Sequence, residues 1–393
     1  MGKILVLAEK PSVGRDLAKV LNCSQGGKGC LSGNKYIVTW ALGHLVTLAD
    51  PEAYGEQYKT WSLETLPMLP GKMELVVIRE TAKQFSVVKS LMKRPDIDEL
   101  IIATDSGREG ELVARWIIMK AGFGKPIKRL WISSQTDKAI KEGFRNLRPG
   151  REYDDLYRSA QCRAEADWLI GLNVTRALTC KHNAQLSAGR VQTPTLAMVV
   201  ERENEIKRFV PKDYWTISAN AAGIDNGISG FSMQWQDKKS GQTRLFDKPR
   251  ADEILSKING RTGAVTEVKK EAKEEQPPLA YDLTELQRDA NRKYGYSAKQ
   301  TLNIMQRLYE TYKIVTYPRT DSRYITEDIV PTLRERLKSI SAGPYADAAR
   351  ALIRGEIKAT KRLVDNSRVT DHHAIIPTEQ PVNLSDLDHE ERN

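Results

Sequence analysis

Two stretches of the chain read as buried strands that each run into a helix. Residues 3–9, "KILVLAE", are a continuous apolar run closed by Glu9. Residues 11–21, "PSVGRDLAKVL", follow with helical spacing and a proline suited to a first turn. Residues 98–105, "DELIIATD", repeat the pattern, and 108–122, "REGELVARWIIMKAG", put Leu112, Val113, Trp116 and Ile117 on one side of a helix. Strand-helix alternation predicts an α/β domain with a mainly parallel sheet over residues 1–150. Residues 151–212 read as mostly helical and dense in Arg. Residues 213–278 change character: "YWTISANAAG", "FSMQWQDK" and "GAVTEVKK" read as short strands between Gly and Asn turns. The end of that region, "KKEAKEEQPP" (269–278), has linker composition. Residues 279–393 open with two helices, 282–294 and 297–313, split by Gly295, the second with Ser297 and Gln300 spaced as a capping box. No internal repeat is visible. The fold class is therefore α/β and α+β, multidomain.

Composition sharpens this picture. The 393 residues suffice for two or more cores. Lys and Arg number 61 against 51 Asp and Glu, a net charge of +10, which points to a polyanionic partner. Cys23, Cys30, Cys162 and Cys180 show no CxxC spacing, so neither a zinc site nor a disulfide framework is indicated. The apolar start is cut off by Glu9 and Lys10, unlike a signal peptide, and no run is long enough to span a membrane. A reducing cytoplasm fits these features.

Within this basic chain, "ATDSGREGE" gathers Asp105, Glu109 and Glu111. One explanation is structural: Ser106 and Glu109 have capping-box spacing, and acids suit a first helical turn. Glu9 adds a chemical one. It too ends an apolar strand just before a helix. In a parallel sheet both strand ends share the carboxyl edge, so Glu9, Asp105 and Glu109 are expected to converge. Such a set suits Mg²⁺, which bridges to phosphate. Glu111 carries less weight as a residue facing solvent. There is no GxxxxGK[ST] loop and no GxGxxG after a strand, so a P-loop ATPase is not supported.

"KIVTYPRTDSRY" (313–324) is the second chemical stretch. Tyr317 precedes Pro318, which restricts its backbone, and Arg319 and Asp321 follow. A tyrosine hydroxyl titrates near 10 and is a poor nucleophile; an adjacent cation stabilises phenolate and phosphate charge. The plainer alternative is a packed tyrosine with Arg319 paired to Asp321.

The motifs "VLAEKPS", "ATDSGREGELVARW", "SAGRVQTPTL", "TYPRTDSRY" and "HHAIIPT", in this order, resemble those of type IA DNA topoisomerases, in particular the bacterial topoisomerase III group. The resemblance implies an N-terminal Toprim domain holding Mg²⁺, then helical, small β and helix-turn-helix-like domains of a toroid. It implies ATP-independent cleavage of one DNA strand through a 5′-phosphotyrosine, strand passage and religation. Tyr317 would be the nucleophile and Arg319 the phosphate stabiliser. Glu9 would be a metal ligand or acid/base group, and Lys10 would protonate the departing 3′-oxygen. Asp105 and Glu109 would complete the metal site, and Glu111 matches a further acid of the motif. His372 would sit beside the phosphate as a cationic or hydrogen-bonding imidazole, with His373 structural and His44 a satisfied structural histidine. Ser187, Ala188, Gly189, Arg190, Val191 and Gln192 would bind single-stranded DNA, with Arg190 and Gln192 on phosphate and sugar. Trp168 and Arg176 would join that groove by the same resemblance, and Trp61 is a further stacking candidate.

The chain departs from the family pattern at Gly107, where most members carry a second Asp; one Mg²⁺ at most is expected. It also stops where the toroid's return through its middle domains is expected, which suggests a fragment. Two other readings stand beside a topoisomerase: a Toprim nuclease or primase-like enzyme without a tyrosine step, and a helix-turn-helix DNA-binding protein resting on residues 282–312.

Overall fold

The computed structural model describes residues 2–133, 135–221, 230–264, 267–369 and 372–393. It forms two compact units: Met1–Arg190 with Pro277–Asn393, and Val191–Gln276. The expected helical segment 151–212 is thus divided, with residues up to Arg190 in the first unit.

The first unit begins with strand β1 (Lys3–Ala8) and helix α1 (Pro11–Val20), with Pro11 in its first turn. Three strands follow, β2 (Gln25–Gly27), β3 (Cys30–Ser32) and β4 (Tyr36–Trp40), and then the separate antiparallel pair β5 (Val46–Leu48) and β6 (Leu75–Val77). Next come α2 (Ala82–Met92), β7 (Ile97–Ala103), α3 (Arg108–Ala121), β8 (Ile127–Arg129), α4 (Asp137–Arg145) and β9 (Arg148–Pro149). Among the described residues the main sheet runs β2-β3-β4-β1-β7-β8-β9. Its centre, β4-β1-β7-β8, is parallel, and its edges are antiparallel. Helices cover both faces, which is why β1 and β7 are apolar at successive positions rather than alternate ones. The register pairs Ala8 with Ala103, bringing the two strand ends level at the carboxyl edge.

Helix α3 ends at Gly122 in the left-handed region (φ 74°), where the Phe123 N–H returns to the Ile118 carbonyl. Leu112, Val113, Trp116 and Ile117 are all buried, as the periodicity predicts. The long helix α5 (Asp154–His182) packs on α3.

The second unit holds α6 (Gln192–Lys207), the antiparallel pair β10 (Ser218–Ala221) and β11 (Phe231–Gln234), and α7 (Lys248–Ile258). Its small core is Ile217, Leu245 and Ala251 with Trp215, Trp235 and Ile254. The expected strand at 263–270 falls partly on residues outside the described ones, and its described flanks are not in a strand.

The chain then returns to the first unit with α8 (Leu283–Tyr294), capped by Asp282, and α9 (Ala298–Glu310), capped by Ser297. Gly295 joins them at φ 72°. The Gln300 side chain reaches Glu390 instead of closing a full capping box. Short helices α10 (Leu333–Ser339), α11 (Ala346–Arg354) and α12 (His389–Arg392) complete the unit. No helix among the described residues is long and apolar enough to cross a membrane.

Candidate active site

The site lies where the carboxyl edge of the sheet meets the segment carrying Tyr317. Glu9 follows β1, and its carboxylate accepts the Asp105 N–H at 3.0 Å. The level register makes this contact possible. Asp105 follows β7 and is held from behind: its carbonyl oxygen accepts Arg129 Nη2 at 2.6 Å. Burial, then the Glu9 charge, push the Asp105 carboxyl up to about 6, against the pull of Lys10. Two carboxyls held in this way favour a proton or a cation between them, which is the donor chemistry a hard dication takes.

Glu109 does not join them. It is exposed and lies 3.6 Å from Arg163. Among the described residues no group of three acids, His or Cys is close enough to hold a metal, so the convergence is of Glu9 and Asp105. The capping box at Ser106 does not form. Gly107 is the N-cap residue, and the Ser106 hydroxyl instead bridges the Ile132 N–H and carbonyl, both at 3.0 Å. Glu111 does not face solvent. It is fully buried, paired with Arg129 at 2.9 Å and Arg115 at 2.9 Å, so it is a scaffold acid that holds the base of the site.

Tyr317 enters from the other side. Its N–H donates to the Ser133 carbonyl at 3.1 Å. Its ring lies 4.2 Å from the His372 ring and edge-on to Tyr309 at 5.4 Å, centroid to centroid. Asp105, Ser106, Gln135, Tyr309, Tyr317 and His372 line one shared pocket. Burial, then the Asp105 charge, raise the Tyr317 hydroxyl well above the ordinary tyrosine value, and Arg319 pulls it back only in part. Arg319 is exposed, with one guanidinium nitrogen 3.4 Å from Gln306 Oε1.

Lys10, the N-cap residue of α1, crosses to α9 and donates to Glu310 Oε1 at 2.8 Å. Burial works against its charge, but the Glu310 hydrogen bond and the charges of Asp105, Glu310 and Glu9 outweigh that and raise its pKa. Lys313, in the left-handed region at φ 60°, makes a second crossing to Asp16 at 2.7 Å.

His372 is buried, and burial, then His373, lower its pKa to about 4. It is therefore neutral near pH 7, and of the two expected imidazole roles the hydrogen-bonding one remains. His373 contacts Ser133 Oγ at 3.2 Å and the Ala374 carbonyl at 2.7 Å, a structural placement. His44 is exposed, not satisfied inside the fold.

The single-strand candidates separate. The loop through Ser187, Ala188 and Gly189 is tied to α5 by the Thr175 hydroxyl, which accepts the Ala188 N–H at 3.0 Å. Arg190 makes a two-pronged pair with Asp167, at 2.8 and 3.2 Å. Val191 and Gln192, both exposed, begin the second unit and open α6 there. Trp168 packs as scaffold: its indole N–H donates to the Ala49 carbonyl at 2.9 Å and its ring meets Tyr54 edge-on. Trp168 is partly buried, and Arg176 is buried, bonded to the Tyr58 carbonyl at 2.7 Å, with its guanidinium 5.1 Å from the Trp61 ring centroid. Of these three, Trp61 is the exposed residue, at 46%. Sequence reasoning missed Arg129, Gln306, Tyr309 and Glu310. The one available signal was Gln306 and Glu310 at helical i,i+4 spacing just before Tyr317.

Comparison with known proteins fits this geometry. A family model described as DNA topoisomerase matches residues 151–393, and the Toprim domain model matches residues 4–135. DNA topoisomerase 3 of Bacillus subtilis (strain 168) is 57% identical over 392 residues, covering 100% of this chain and 53% of the relative. The Bacillus anthracis DNA topoisomerase 3 is 58% identical with the same coverage. The chain spans about half the length of the curated relatives it matches. The structure of full-length topoisomerase I from Thermotoga maritima superposes with a TM-score of 0.63 at 24% identity, over 95% of this chain and 55% of that one, a likeness of fold. With both family models matched in sequence order and relatives above half identity along its whole length, the chain belongs to the DNA topoisomerase family.

Proposed function

We propose that this chain carries the strand-cleaving part of an ATP-independent, type IA topoisomerase acting on single-stranded DNA in the cytoplasm. The observation that carries this reading is Tyr317 seated against His372 in the pocket it shares with Asp105. A half-buried tyrosine beside an acid and a neutral imidazole, with a cation two residues on, supports attack on a phosphodiester over packing alone. In the proposed step Tyr317 Oη bonds to phosphorus and the bond to the 3′-oxygen breaks. Arg319 carries charge on the phosphate, and Lys10 gives a proton to the 3′-oxygen. The raised pKa of Tyr317 keeps it protonated at rest, so attack requires loss of that proton as DNA binds.

Glu9 and Asp105 would hold one Mg²⁺, with Glu109 reaching it only by leaving Arg163. When bound, the ion would supply positive charge for positioning the phosphate during religation. Strand passage, and with it relaxation or decatenation, belongs in this reading to the whole protein.

The test is a denaturing gel of end-labelled single-stranded DNA incubated with wild type and Tyr317→Phe. Wild type is expected to give a covalent adduct that Tyr317→Phe lacks while still binding DNA. Cleavage that persists in Tyr317→Phe would favour a Toprim nuclease. Sequence-specific binding without cleavage in either protein would favour a helix-turn-helix binder.

A further inference from the structure

Helix α9 carries two polar side chains on the face turned to the site, and together they link the two candidate cations. Glu310 Oε1 accepts from Lys10 Nζ at 2.8 Å and from Gln306 Nε2 at 2.7 Å. Gln306 Oε1, in turn, lies 3.4 Å from Arg319 Nη2. The chain of contacts is therefore Lys10, Glu310, Gln306, Arg319. It joins a lysine at the start of α1 to an arginine beside Tyr317, across a sequence separation of 300 residues at its first contact. Lys10 is a long, flexible side chain whose ammonium could also turn to Glu9 or Asp105, both of which attract it. Glu310 removes that choice. The carboxylate is half-buried, and the hydrogen bonds from Lys10 and Gln306 outweigh the cost of burial, so it stays ionised.

We propose that Glu310 is a positioning residue, braced by Gln306, that holds the Lys10 ammonium at the 3′-oxygen side of the scissile phosphate. This rests on the cleavage reading above and deepens it. As Tyr317 Oη bonds to phosphorus its phenolic proton leaves to water. The electron pair of the breaking P–O bond goes to the 3′-oxygen, which takes a proton from Lys10 Nζ, and water then reprotonates Lys10. Glu310 gives up no proton. It fixes the donor's place, which matters because proton transfer needs a heavy-atom approach near hydrogen-bond distance.

A substrate whose leaving group needs no proton isolates this role. Single-stranded DNA with sulfur in place of the bridging 3′-oxygen leaves as a thiolate, which is stable without protonation. Adduct formation in one turnover would be measured for wild type, Glu310→Gln, Glu310→Asp, Lys10→Ala and the double variant Lys10→Ala with Glu310→Gln, on oxygen and sulfur substrates. Binding of the same strands would be measured in parallel. Glu310→Gln is expected to slow the oxygen substrate by roughly 10- to 100-fold, less than the ~100- to 10,000-fold a proton donor contributes, because Lys10 itself remains. It is expected to leave the sulfur substrate and binding near wild type, and Glu310→Asp should regain part of the rate. The double variant should be no slower than Lys10→Ala. Equal slowing on both substrates would overturn the proposal, because a merely structural defect does not depend on the leaving atom. Unchanged rates on both, or a further loss in the Lys10→Ala background, would overturn it as well. If wild type forms no adduct on either substrate, the cleavage reading itself fails and takes this one with it.

Discussion

Arg129 and Glu111 meet at 2.9 Å with neither side chain exposed to solvent. The same guanidinium donates to the carbonyls of Thr104 and Leu130 at 2.8 Å and of Asp105 at 2.6 Å. This buried pair is what fixes the backbone from which the Asp105 carboxyl is presented. Removing one partner strands the other charge in the core. Glu111→Gln is therefore expected to destabilise the first unit by about 3–5 kcal/mol. Chemical denaturation followed by fluorescence would measure it, and a loss below about 1 kcal/mol would show that the carbonyls of Thr104, Asp105 and Leu130 hold the Arg129 charge without the carboxylate.

Gly110 and Gly107 make opposite predictions although they stand close together. A Cβ on Gly110 would lie 2.1 Å from the Asp105 carbonyl oxygen, so Gly110→Ala must displace the loop. It is expected to cost about 1–3 kcal/mol and to abolish cleavage. Gly107 has φ 179°, an extended conformation open to any residue, and nothing within 4 Å of an added Cβ. As an N-cap residue it accepts Asp with a stability change of a few tenths of a kcal/mol, about 0.3. Gly107→Asp should therefore fold normally and bind Mg²⁺ or Mn²⁺ more tightly, because it restores a carboxylate at the site's rim. Calorimetric titration with Mn²⁺ would check this, and an affinity equal to wild type would place the new carboxylate outside the ion's reach.

The residues legible in the sequence are those whose chemistry follows from local pattern. Continuous apolar runs gave β1 and β7, and the sheet then brought Glu9 beside Asp105 without further information. What sequence reasoning could not give is pairing across long separations. Glu111 looks like any acid in a first helical turn until Arg129 is seen beneath it. Arg176 and Trp168 match a DNA-binding pattern, yet the hydrogen bonds they make to Tyr58 and Ala49 turn both inward. Ser106 and Glu109 have the spacing of a cap, but Ile132 competes for the hydroxyl and wins. The i,i+4 spacing of Gln306 and Glu310 hints at a shared helix face, but the pairing of Glu310 with Lys10, 300 residues away, is not legible in the sequence.

Asp105 makes stability depend on pH. Its folded pKa of about 6 lies above the ordinary value of 3.8, so its favourable contribution is full below about 3.8 and is lost as pH rises through about 6. Asp105→Asn should raise the melting temperature at pH 7–8 without added metal, and that gain should vanish near pH 4. Melting curves across this range decide the matter, and a gain independent of pH would contradict the raised pKa.

His372 behaves in the opposite sense. Its folded pKa of about 4 lies below the ordinary 6.5, so the stability linked to its neutral form is present above 6.5 and lost as pH falls through 4. In the free protein its ring resonances should show no protonation between pH 8 and pH 5.5. A midpoint near 6.5 would mean that solvent reaches the ring and that it can act as a cation beside phosphate.

Arg190 meets DNA only by exchanging partners. Its guanidinium is engaged by both oxygens of Asp167, whose pKa is lowered first by that hydrogen bond. Both side chains are about half exposed, at 51% and 42%, so the pair is worth little to stability and is open to competition. A phosphate offers the same two-oxygen geometry. Arg190→Ala should then weaken binding to single strands of every sequence and lower the slope of log affinity against log salt by about 1. Asp167→Asn removes the competing charge and should strengthen binding, most clearly at low salt, with the slope kept. The two variants, titrated against strands of different sequence at several salt concentrations, separate the possibilities. Weaker binding in Asp167→Asn would show that the carboxylate aims the guanidinium at DNA instead of competing with it. Sequence-dependent losses in Arg190→Ala would make Arg190 a reader of bases.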